Sequence, residues 1–270
     1  MENVSANEVK NEIKKKKQKE LFRKLADEYA NVRENVIFTR MFYDFLNGEI
    51  MDYLPRKKNA VVLDTMCGTG DMFKSLVGDY DKVVGLDISE DMLHRVRDKE
   101  NLLGLVCGDV DFHPFKHRSF DLVVCRAGLH HLPDISNCLY EVNRILRRNG
   151  IFVFSEPSDD SFAVRQARQI LHRHNQWFEE DTESGFFSKE LDRLLSKHNF
   201  RIAERKRFGY IAHVLFGHTD ILPVFRKLSV IPGIAFISRV LIFIDKCLSV
   251  TPFVKKNSLF IIMKCVKSRE

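Results

Sequence analysis

The six cysteines, Cys67, Cys107, Cys125, Cys138, Cys247 and Cys265, contain no Cys-x-x-Cys pair, and no histidines stand at finger-like spacing from them. That absence argues against a zinc site and a disulfide framework, and it fits a reducing compartment; the expected location is the cytoplasm. Long apolar runs are missing too. The uncharged stretch 228–238 has only eleven residues, where a membrane-spanning helix needs about 20. A secretory leader is not expected, because lysines fill positions 14–17, where its apolar core would lie. No internal repeat divides the chain.

What remains is a 270-residue chain, 44% hydrophobic, long enough for one large α/β domain with additions. Its net charge of +6 is unevenly spread. Residues 1–24 carry eight basic and four acidic groups and residues 201–270 thirteen and four, which leaves the middle at −7. Basic ends around an acidic centre are read first as solvated surface, with attraction to phosphates or an anionic membrane as the other reading.

Residues 1–19 are polar and Lys-rich and are expected to form a flexible basic tail with a helical end. Leu21, Phe22, Leu25 and Tyr29 recur at helical spacing, so 20–58 reads as an N-terminal helical cap. From 59 to 157 short apolar runs at 60–63, 82–86, 102–107, 121–125 and 151–154 alternate with helix-period stretches. The runs are nearly continuous rather than alternating, as in parallel strands covered on both faces. Ile135, Leu139, Val142 and Leu146 mark the inner stripe of a helix expected to end at Asn149-Gly150. The pattern predicts an α/β fold with a Rossmann-like, doubly wound sheet and ligands outside the carboxyl ends of its strands. Residues 158–270 are assigned to the same domain: helices over 163–178 and from Ser188, a strand at 201–207, an apolar helical insertion at 221–254 and a last strand at 259–265.

The run VVLDTMCGTG at 61–70 is a strand ending in Asp64, then a turn with Gly68 and Gly70, then a helix. A dinucleotide-binding G-x-G-x-x-G would need a third glycine where Phe73 stands. VVGLDIS at 83–89 ends a second strand in Asp87, a carboxylate able to accept from both hydroxyls of a ribose. GDVDFHPF follows the third strand at 108–115, FDLVVCRAGLHHLPD carries the fourth at 120–134, and EVNRILRRNGIFVFSEP spans a helix and the fifth strand at 141–157.

D-x-x-x-G-x-G after a first strand, with these further segments in register, resembles the class I S-adenosylmethionine-dependent methyltransferases. The resemblance runs over about 20–210, with its motifs in 59–157. It implies a seven-stranded, mostly parallel sheet, S-adenosylmethionine as cofactor, S-adenosylhomocysteine as product, and no metal. It implies a donor site from Asp64, Met66, Cys67, Gly68 and Gly70, with Asp87 and Ile88 at the ribose. Asp109 would meet the adenine amine and Val110 supply a backbone donor, while Tyr29 and Arg126 would reach the donor or its carboxylate.

A methyl sulfonium is already activated, so such an enzyme mainly aligns the acceptor and excludes water. An alcohol acceptor benefits from a base, and His130 and His131 follow the fourth strand at the edge where the methyl group should point. His131 is the preferred base and His130 the second candidate, against a purely structural His-His-Leu. Glu156, His172, His174 and Trp177 are further acceptor-side candidates, weighed against surface helix residues. O-methylation of a small, lipid-like or saccharide-containing metabolite is the favoured activity. The segment 221–254 has three readings: a lid, a homodimer interface, or a contact with an anionic membrane on its cytoplasmic face. An RNA methyltransferase and a non-catalytic binding protein of the same fold are the alternatives. The first is disfavoured because CRAGLHH replaces the Asn/Asp-Pro-Pro-aromatic signature and no RNA-binding module is visible.

Overall fold

Both faces of the sheet are covered, which is why its strands read as unbroken apolar runs. In the computed structural model, which describes residues 6–97, 102–173, 185–217, 219, 223–252 and 254–268, neighbours along a strand enter opposite cores. Val62, Leu122, Val124, Val153 and Ile262 join one core, and Leu63, Val123, Cys125, Phe152, Phe154 and Ile261 the other.

Seven strands lie among the described residues: β1 (Val61–Thr65), β2 (Lys82–Asp87), β3 (Gly104–Cys107), β4 (Phe120–Arg126), β5 (Leu146–Pro157), β6 (Phe200–Phe208) and β7 (Phe260–Lys267). Their order is β3-β2-β1-β4-β5-β7-β6. β1 to β5 pair in parallel, and β7 runs antiparallel to both β5 and β6. This is the Rossmann-like sheet that the alternating runs predict, with the seven mostly parallel strands that the family resemblance implies. The strand order reverses between β1 and β4, so the ligand crevice lies beyond their carboxyl ends.

Two helices precede the sheet, α1 (Ala6–Asn35) and α2 (Ile37–Met51). In α2, Phe38, Phe42, Leu46 and Ile50 recur every fourth residue and are buried in the first core. Residues 6–19, anticipated as a tail, belong to α1 along their whole length. Two short helices flank β2, α3 (Phe73–Asp79) and α4 (Glu90–His94).

The helix before β5 ends earlier than its sequence suggests. α5 (Ser136–Ile145) stops because the amides of Arg118 and Ser119 take the carbonyls of Arg144 and Ile145, and Leu146 then pairs with Phe120 of β4. Asn149 adopts a left-handed φ of 57° inside β5, so Asn149-Gly150 is not a helix terminus.

Beyond β5 come α6 (Phe162–Arg173), α7 (Ser188–Lys197), α8 (Ile211–Phe216), a 3₁₀ segment (Pro223–Val230) and α9 (Ile234–Val250). The first amide of α7 is capped from outside the helix, with Ser188 N–H donating to Asp160 at 3.0 Å. Asp245 of α9 accepts from the amides of Tyr210, Ile211, Ala212 and His213, which satisfies the start of α8 and anchors the inner face of α9. His174, Trp177 and the side chain of His172 lie outside the described residues. Among the described residues no helix is long and apolar enough to cross a membrane.

Candidate active site

The loop after β1 makes a tight reversal. The Cys67 amide bonds to the Leu86 carbonyl, and the Gly68 amide donates to Asp87 Oδ2 at 2.8 Å, tying the loop to the end of β2. Gly70 has φ 81°, and a Cβ there would sit 2.6 Å from the Phe73 ring, so glycine is required for both turn and packing. Across the switch point a Cβ on Gly128 would meet Met66 and the Cys125 sulfur at 2.9 Å, so the loops after β1 and β4 touch.

Between these loops and α1 lies a cavity of about 930 Å³, counted with the solvent at its mouth. Tyr29, Asp64, Met66, Cys67, Gly68, Asp87, Ile88, Asp109, Val110, Arg126 and His131 line it. Gly70 and His130 are not in that lining. Gly70 shapes the turn, and the His130 ring is held against Glu156.

The carboxylates differ in how they are satisfied. Asp87 accepts one backbone N–H on each oxygen, from Gly68 and from Ser89 at 2.9 Å, and burial still pushes its pKa upward. Asp64 is 2% exposed, and its Oδ2 has no hydrogen-bond partner. Burial raises its pKa to about 8, against the opposing charge of Arg126. Asp71, directly after the glycine loop, is half-buried, and Arg33 and Arg126 both bond to its Oδ2 and hold it well below the usual carboxylate range. The Arg33 guanidinium lies 3.7 Å from the Tyr29 ring centre and 4.1 Å from that of Tyr43, and Arg126 also bonds Asn47 at 3.2 Å.

α1 roofs the cavity. Lys15, Gln18, Lys19, Phe22 and Tyr29 all contribute to its lining. Lys15 Nζ reaches Asp109 at 2.9 and 2.7 Å and also bonds Asp111. Burial alone would lower the Lys15 pKa, yet these two carboxylates raise it overall.

His131 faces the roof, with its ring edge-on to Phe22 at 5.2 Å and 4.0 Å from the His130 ring. Burial and the neighbouring His130 pull its pKa well below the ordinary value, so the ring is neutral at physiological pH. Behind it, His130 Nδ1 contacts Glu156 Oε2 at 2.8 Å, and Glu156 accepts amides from Gly128 at 2.9 Å, Leu129 at 2.7 Å and His130 at 3.3 Å. Burial raises the Glu156 carboxyl to about 7. Glu156 thus clamps the turn that presents His131.

A family model described as a methyltransferase domain matches residues 63–154, the stretch that builds this crevice. The demethylmenaquinone methyltransferase of Staphylococcus carnosus is 27% identical over 234 residues, covering 78% of this chain and 96% of its own. The Staphylococcus haemolyticus protein of the same name is 32% identical over 160 residues, 57% of this chain and 66% of its own. The chain is a class I S-adenosylmethionine-dependent methyltransferase. Solved methyltransferases share the fold of this methyltransferase: one from Thermotoga maritima superposes with a TM-score of 0.60 over 92% of this chain and 99% of its own, at 17% identity. A second, from Mesorhizobium loti, gives 0.54 over 81% and 96% at 18% identity.

The residues present fit the cofactor of such an enzyme. Its ammonium and sulfonium are cations, its ribose a diol and its adenine an amine donor; the lining offers Asp64 with an unpartnered buried oxygen, Asp87 with lone pairs to spare, and Asp109. No group of three or more His, Cys, Asp or Glu side chains among the described residues is placed to hold a metal ion. The sequence reading of the methyltransferase missed Lys15, Phe22, Arg33, Asn47 and Asp71. Asp71 stands one residue past Gly70 and was open to notice, whereas the others reach the site only through the packing of α1 and α2.

Proposed function

We propose that the crevice binds S-adenosylmethionine and serves methyl transfer to a small, lipid-like acceptor carrying a hydroxyl, as a quinol does. Asp87 takes the ribose hydroxyls, Asp109 the adenine amine beside the backbone of Val110, and Asp64 the cationic methionine end, with Arg126 and Tyr29 close to it. Bound there, S-adenosylmethionine supplies an electrophilic methyl group and leaves as S-adenosylhomocysteine. His131 accepts the acceptor's hydroxyl proton, and burial keeps its imidazole unprotonated for that task. Glu156 acts through the 128–130 turn as a positioning residue. α1 and its Phe22 keep water from the acceptor. Oxygen is the favoured methyl acceptor, and a ring carbon beside the deprotonated hydroxyl is the alternative product.

The observation that carries this reading is the neutral His131 imidazole in the cavity lining, set edge-on against Phe22. Supporting it, the demethylmenaquinone methyltransferases are similar over nearly their full length and by name act on a lipid-like quinone. The test is mass spectrometry of reactions containing methyl-labelled donor and demethylmenaquinol, with fragmentation locating the label. His131→Ala should lower kcat about 10²- to 10³-fold and leave donor affinity unchanged. Normal donor binding with no labelled product would remove the acceptor reading.

A further inference from the structure

α9 has an inner face that is covered and an apolar outer face that is not. Ile234, Ser238 and Asp245 are buried at helical spacing. Phe236, Val240, Phe243 and Val250 repeat at helical spacing on the opposite side and are exposed, Phe236 at 70%, Phe243 at 64% and Val250 at 76%. The preceding 3₁₀ segment adds Val230 at 83%. Eight of the 17 exposed large hydrophobics of the described residues fall within 224–250, so the patch is concentrated rather than scattered.

Charge selects what covers it. Lys227, Arg239, Lys255 and Lys256 are exposed around the stripe, Lys246 beside them pairs with Glu49 of α2 at 3.6 Å, and the single acid in 223–257, Asp245, is buried against the α8 amides. A second copy across a two-fold axis would bring this cationic rim against itself, whereas an anionic surface complements it. Arg226 of the same segment bonds Glu28 of α1 at 2.7 Å, which ties the patch to the helix roofing the cavity.

We infer that the outer face of α9 with its basic rim is an interfacial docking surface for an anionic membrane, the aromatic side chains entering the acyl boundary and the cations meeting lipid headgroups. The inference deepens the lipid-like acceptor reading, since a membrane-borne acceptor is met where the 3₁₀ segment that precedes α9 is tied to α1. Its test needs neither donor nor acceptor, so the two can fail separately.

The full chain is co-sedimented with vesicles of phosphatidylcholine alone and of phosphatidylcholine with phosphatidylglycerol in equal parts, at low and high salt. Binding to the mixed vesicles should exceed that to phosphatidylcholine by about tenfold or more and weaken with salt. Phe236→Ser/Phe243→Ser and Lys227→Glu/Arg239→Glu should each reduce it about tenfold or more, with thermal unfolding like wild type. The inference is overturned if wild type ignores the mixed vesicles at low salt, or if either double variant binds as wild type does. It is also overturned if sedimentation equilibrium reveals a dimer that Phe236→Ser/Phe243→Ser dissociates while vesicles are ignored, because a second copy then owns the face. Vesicle binding as predicted, with no quinol methylation, keeps the docking surface and discards the acceptor.

Discussion

α1 and α9 are both long helices added to the sheet, and each places outward or inward what its composition would put the other way. α1 is rich in lysine, yet it turns Lys15 and Arg33 onto the carboxylates of the site. α9 is rich in Phe, Ile and Val, yet it shows Phe236 and Phe243 to solvent. The difference lies in what each helix meets. The acidic centre of the chain offers α1 a set of anions to neutralise, and the face of α9 away from α2, β6 and α8 stays exposed among the described residues. Charge asymmetry along a sequence therefore had two meanings here: an internal pairing at one end and an exposed rim at the other.

The largest effect should come from breaking the inward pairing. Asp71→Ala leaves Arg33 and Arg126 buried without their shared carboxylate and should cost about 3 kcal/mol of stability, read by urea denaturation. A loss below about 1 kcal/mol would mean that α1 is held by other contacts. An intermediate effect is expected at Asp64, whose folded pKa of about 8 lies above the ordinary carboxyl value of 3.8. A raised pKa means that the folded state keeps a proton the unfolded state has lost. The stability this proton confers is complete below the unfolded pKa and disappears as pH rises through 8. Asp64→Asn should therefore match wild type near pH 4, gain on it as pH rises to 8, and melt several degrees higher at pH 9, while binding donor about tenfold less tightly. A melting difference independent of pH would contradict the buried, unpartnered carboxyl. The smallest effect belongs to α9: Phe236→Ser should change stability by less than about 0.5 kcal/mol, because the side chain already faces solvent. A larger loss would show that the outer face is packed within the fold.

The sheet and the glycine loop after β1 were legible because their signals are local: apolar runs bounded by Asp64, Asp87 and Asp109, and glycines at the turn. The boundary of α5 was not, since the amides that stop it come from Arg118 and Ser119, in a different element. Nothing local marks Lys15 as a residue of the crevice, because it reaches Asp109 from 94 positions away. The His-His pair was visible, but the division between its members was not. Only the contact with Glu156 turns His130 back toward β5 and leaves His131 in the cavity lining.

The central claim is that the crevice between the β1 and β4 loops, roofed by α1, is the donor site. Isothermal titration of S-adenosylmethionine into the wild-type chain and into Asp87→Ala tests it most directly. One saturable site in wild type, weakened about 100-fold or more in Asp87→Ala, is the predicted result. Absence of binding to wild type, or equal affinity in the two proteins, would contradict it.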